Sequence, residues 1–182
     1  MGGKLQISKT DAAARQLDLA IKLWFYEEDP VSIHTLMWAA YEIISDLCKK
    51  KGKPEMTAIE LMKRRIKPEH LEEAMAIFKK AMTFFKHANR DAHTILEFNP
   101  ESNDYLLLIA VGAFESLGER LSDIQRAYGN WCFMHMPHLL KDGENPLLNF
   151  VSVENLENIR KMSKRDYFQT FLNASALARG RL

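Results

Sequence analysis

Signals for β-structure are almost missing from this chain. No stretch alternates apolar and polar residues over six positions, and no Asn-Gly or Asp-Gly hairpin lies between β-rich runs. Cysteine is scarce: Cys48 and Cys132 are too few for a disulfide framework, and both sit in apolar helical patterns that suit a reducing interior. The longest apolar run, Leu106 to Phe114, is about half of the roughly 20 residues a membrane span needs. The first residues, Met1-Gly2-Gly3-Lys4-Leu5-Gln6, lack the apolar stretch of a signal peptide, and Gln6 stands where myristoylation wants Ser or Thr. An excess of one charge is missing too, since 25 Lys and Arg meet 24 Asp and Glu for a net +1. Nothing in the overall charge calls for a nucleic acid or a membrane. The expected location is the cytoplasm.

What is present is helical periodicity. The 182 residues suit a single domain, at about 100–200 residues per domain. The sequence predicts an all-α, up-and-down bundle of four to five long helices with short accessory helices. One domain spans 1–182, with a flexible N-terminus at 1–8 and a loop at 139–152 before a C-terminal helix.

The first helix is expected over 10–26, capped by Ser8 or Thr10, with Ala13, Leu17, Ala20, Ile21, Trp24 and Phe25 on its apolar face. Asp29-Pro30 opens the second, because proline at the first helical position gives up an N–H that needs no partner. Lys49-Lys50-Lys51 suits the negative end of that helix, and Gly52 stops it. Thr57-x-x-Glu60 reads as a capping box for a short helix to about Arg65. Pro68 starts a long helix ending near Arg90, and Asn99-Pro100 with Asn103 marks a turn. The 104–117 segment is apolar around most of its circumference and belongs at the centre, with Gly118 kinking or ending it. Helices over 122–135 and 153–178 complete the pattern.

Several chemistries lack their residues. No Glu-x-x-His is present, so a ferritin-like diiron site is excluded. Cys132-x-x-His135-x-x-His138 is a poor zinc set, because steps of three drift around a helix and Pro137 distorts the last one. No metal and no cofactor are expected. Phosphate-binding glycine loops and a Gly-x-Ser-x-Gly nucleophile turn are missing as well. Two basic clusters, Lys49-Lys50-Lys51-Lys53 and Lys63-Arg64-Arg65-Lys67, read either as solvated helix ends or as one patch for RNA or a nucleotide.

The densest polar stretch follows a phenylalanine pair: Phe84-Phe85-Lys86-His87-Ala88-Asn89-Arg90-Asp91. On a helix Asp91 lies four residues from His87 and can orient its imidazole, for general acid–base work or for a buried structural bond. His34, Tyr41 and Glu42 share roughly one face of the second helix, beside its apolar stripe. That row is expected to meet the 86–91 segment across a helix interface, as a binding site or as a polar seam that sets register.

Two segments resemble the HEPN superfamily (higher eukaryotes and prokaryotes nucleotide-binding) of helical proteins. One is Ser32 to Cys48, with its Ala39-Ala40-x-Glu42-Ile43 patch, followed by Lys49-Lys50-Lys51-Gly52; the other is Met82-Thr83-Phe84-Phe85-Lys86-His87-Ala88-x-Arg90-Asp91. The resemblance implies a helical, dimeric protein. In the superfamily's ribonucleases an Arg and a His from two protomers cleave RNA through the ribose 2′-OH. His87 matches that His, whereas the Arg position falls on Met82 and its polar neighbour on Thr83. Methionine cannot stabilise a phosphate's developing charge. The resemblance therefore implies first a non-catalytic nucleotide- or RNA-binding module, a homodimer using His34, Tyr41, Glu42, Lys86, His87 and Arg90. The alternatives are a metal-independent ribonuclease of toxin type with His87, Arg90 and Asp91 as catalytic residues, and an antitoxin-like structural partner without a small ligand.

Overall fold

The computed structural model of the chain describes residues 3–58, 60, 63, 68–87, 92–136 and 152–180. Every regular element among them is helical, so the fold is the all-α bundle expected. Helix α1 is Lys9–Phe25 and α2 is Pro30–Lys50. A 3-10 turn at Pro54–Met56 leads towards α3, Pro68–Lys86. Then come α4, Ser102–Ser116; α5, Asp123–His135; α6, Val153–Arg160; and α7, Lys164–Ala178.

The helix starts follow from local hydrogen bonding. Ser8 and Asp11 form a reciprocal capping box on α1, and the Asp29 carboxylate accepts from the N–H of Ser32 at 2.8 Å with Pro30 at the first position of α2. Residues 26–29 fold α2 back along α1, with Glu27 at φ 55° in the left-handed region. These two helices pack most extensively on one another.

Helix α4 touches α1, α2 and α5, the central place its apolar circumference called for. Its buried apolar side chains are Leu106, Leu107, Ala110, Val111, Ala113 and Phe114. Gly118, at φ 81°, ends it. The C-terminal ends of α2 and α4 meet. There Lys51 Nζ donates to the carbonyl of Leu117 at 2.7 Å, and Lys53 Nζ to that of Ser116 at 2.5 Å. These are carbonyls with no partner inside the helix, at the negative end of its dipole.

The far end of the bundle is aromatic. Phe25 stacks on Phe168 with ring centroids 4.5 Å apart, and Trp24 meets Tyr128 edge-on at 4.9 Å. Asp104 accepts the Trp24 indole N–H at 2.6 Å, and Lys164 sits 3.8 Å over the same ring.

Two helix boundaries differ from expectation. The C-terminal helix expected over 153–178 is two helices, because Ser163 caps a new start by accepting from the Asp166 N–H at 3.1 Å. Helix α3 ends at Lys86 rather than near Arg90, and His87 follows it, its N–H still bonded to the carbonyl of Thr83 at 3.1 Å. The 139–151 part of the expected loop lies outside the described residues.

Candidate functional site

Between α2, α3, the 96–99 segment and α4 lies a cleft of about 610 Å³. Phe78 and Ala81 line it from α3, Leu96 and Phe98 from the connecting segment, and Tyr105, Leu106 and Ile109 from α4. Polar groups are few: His34, Lys80, Glu97, Asn99 and Ser102. A Phe every turn or two on α3, after a start fixed by Pro68, puts ring after ring against α2. Trp38 meets Phe78 at 4.7 Å and His34 meets Phe85 at 5.6 Å. The turn at 99–102, where Ser102 N–H bonds the Asn99 carbonyl at 3.2 Å, brings Phe98 to 5.2 Å from His34 and starts α4 with Asn103 pointing inward.

Among the described residues, His34 is the only ionisable side chain in the cleft lining that is fully enclosed, 2% exposed. Its Nδ1 lies 2.8 Å from Asn103 Oδ1. Asn103 Nδ2 donates to the carbonyl of Pro30 at 3.0 Å, which fixes the amide's orientation and leaves Oδ1 as an acceptor. The hydrogen bond therefore assigns the proton to Nδ1 and a lone pair to Nε2. Nε2 is buried and has no partner among the described residues. Burial holds the imidazole pKa below its usual value, and the nearby Lys86 charge adds to this against the opposing Asn103 bond. His34 is thus a neutral imidazole with one hydrogen-bonded nitrogen and one buried, unpartnered nitrogen.

Of the other expected site residues, those described lie outside the cleft lining. Tyr41 is buried, and its hydroxyl accepts from the Ala58 N–H at 2.6 Å, so this polar group is spent inside the fold. Glu42 and Lys86 do meet across the α2–α3 interface, as an ion pair of 2.8 Å. That contact is partly exposed and outside the cleft lining. His87 is exposed and outside the cleft lining, and its ring has no hydrogen-bond partner among the described residues. Arg90 and Asp91 lie outside the described residues, so the expected His87–Asp91 pairing does too.

The candidate metal set is also dispersed into local contacts. Cys132 is buried, with its thiol pKa pushed up to about 12 by burial. His135 stacks on Trp131 at 3.6 Å and bonds the Trp131 carbonyl through Nδ1 at 3.1 Å. His138 lies outside the described residues. Among the described residues no group of three or more His, Cys, Asp or Glu side chains is placed to hold a metal ion. No described helix is long and apolar enough to cross a membrane.

Reading the sequence missed Asn103 and most of the cleft wall. Nothing local says that Phe98 and Leu96 close the cleft opposite the phenylalanines of α3. Compared with protein families, curated proteins and solved structures, the chain has no match in any of the three.

Proposed function

We propose that this chain is a non-catalytic binding module that takes a small, mainly apolar, ring-bearing ligand into the cleft between α2, α3 and α4. The observation that carries this reading is the cleft itself: about 610 Å³, walled by Phe78, Phe98, Tyr105 and aliphatic side chains, with few polar groups. Small-molecule sites have this character, with volumes of about 300–1,000 Å³ and a few placed polar atoms. The described parts of the segments that resemble the HEPN superfamily lie on α2 and at the end of α3, the helices that wall the cleft.

A nucleobase is one ring of this kind, but polyphosphate or an RNA backbone has less support. Lys51 and Lys53 are bonded to the end of α4, Lys49 pairs with Asp46, Lys63 with Glu60 and Lys86 with Glu42. The ribonuclease reading has less behind it still, since His87 stands exposed, away from the cleft.

The test is a titration with N-phenyl-1-naphthylamine, an uncharged dye that brightens in apolar sites. Wild type should show saturable, one-site brightening. Ala81→Phe, which fills the cleft from α3, should weaken it at least tenfold with an unchanged melting temperature. Non-saturable brightening, or equal binding by the filled variant, overturns the reading.

A further inference from the structure

We propose that His34 Nε2 is the selecting atom of this cleft, and that the natural ligand is a neutral ring compound carrying an O–H or N–H donor. The inference rests on the cleft reading above and adds the chemistry of its ligand.

Three observations meet at this atom. His34 belongs to the cleft lining, amid Phe78, Phe98 and Leu106. Its Nδ1 proton is committed to Asn103, which is itself held by the Pro30 carbonyl. Nε2 keeps a lone pair that no described group satisfies. A buried acceptor without a partner is unfavourable, so a ligand that brings a donor gains more than the contact alone supplies in water. The same geometry discriminates. An ether or carbonyl oxygen would place lone pair against lone pair, and a hydrocarbon would leave Nε2 unsatisfied. Sites built around a buried polar atom reject analogues that lack its partner far more strongly than apolar walls reject a missing methylene. The ring pair Phe85 and Phe98, at 5.6 and 5.2 Å from the imidazole, holds it edge-on and keeps it from turning to find another partner.

Displacement of N-phenyl-1-naphthylamine from wild-type protein at pH 7.5 by three matched probes tests this. The probes are 2-naphthol, naphthalene and 2-methoxynaphthalene. The expected result is that 2-naphthol binds at least tenfold more tightly than the other two. In His34→Phe the advantage should vanish; the wild-type comparison of 2-naphthol with its methyl ether decides the matter even if that variant fails to fold. Three probes binding within threefold of one another, or none displacing a dye that itself binds saturably, overturns the role of Nε2 and leaves the cleft reading standing. Failure of the dye to bind the cleft removes both.

Discussion

The hydroxyl of Tyr41 accepts the backbone N–H of Ala58 at 2.6 Å, tying the middle of α2 to the segment that leads into α3. Both residues are buried. Tyr41→Phe keeps the ring contacts with Trp38 and Phe78 but leaves that N–H without its acceptor. The expected loss is about 1–3 kcal/mol of unfolding free energy, measured by urea denaturation. Dye binding in the cleft should not change. A loss below about 0.5 kcal/mol would mean that the 58 region finds another partner readily.

Acid should weaken the fold through His34. Its pKa in the folded chain lies below the ordinary 6.5, so the unfolded chain takes up a proton first as pH falls. The stabilisation is complete above about pH 6.5 and is lost as pH drops through the lowered folded value. Among the described residues the charge that acts on this imidazole is Lys86 from α3, Lys80 and Glu97 share its cleft lining, and uncharged Asn103 faces it from α4. Asp18 and Asp104, raised by burial above the ordinary carboxylate value, act in the opposite sense, so the comparison with a His34 variant isolates the histidine. Urea midpoints between pH 7.5 and 5.5 should therefore fall for wild type and fall less for His34→Phe. Equal slopes would remove His34 as the cause.

The Lys86–Glu42 pair is expected to matter little. Its glutamate side chain is half exposed, and solvent screens such pairs to roughly 0–1 kcal/mol. Lys86→Ala should shift the urea midpoint slightly and leave 2-naphthol binding within about twofold, since a loss of 1.4 kcal/mol would be needed for tenfold. A tenfold loss would move the polar seam back into the binding site.

Neither cysteine should react in the native state. Cys48 is fully buried, and Cys132 is buried with a thiol pushed up to about 12, so its thiolate is scarce at neutral pH. Iodoacetamide at pH 8 should label both only after denaturation, as read by intact mass. Rapid native labelling of Cys132 would show that the α5 face opens.

Much of the fold was legible because its signals are local. Ser8, Asp29-Pro30, Gly52 and Gly118 each act within one turn of chain, and each sets a helix end where the residue type suggests. The Ser163-x-x-Asp166 cap is equally local and was hidden only by apolar periodicity running across it. The site was less legible. His34 could be singled out as a histidine on an apolar face, and the Glu42–Lys86 contact as opposite charges on neighbouring helices. The partner that sets the tautomer of His34 lies 69 residues away, and no spacing rule connects them. Tyr41 looked like a ligand residue because a phenol beside a carboxylate gives no sign of a backbone amide arriving from another turn.

The three tryptophans divide the molecule into two optical compartments. Trp24 and Trp131 stand 6.1 Å apart in the aromatic end of the bundle, one beneath Lys164 and the other against His135. Trp38 stands apart from them, against Phe78, whose ring also lines the cleft. Replacing Trp24 and Trp131 by phenylalanine leaves a chain whose entire indole emission comes from the cleft side. Replacing Trp24 and Trp38 instead leaves Trp131 as the single indole, in a chain that watches α5 and α7. Occupancy of the cleft and docking of the C-terminal helix thereby become separately visible in the same protein, without an added dye.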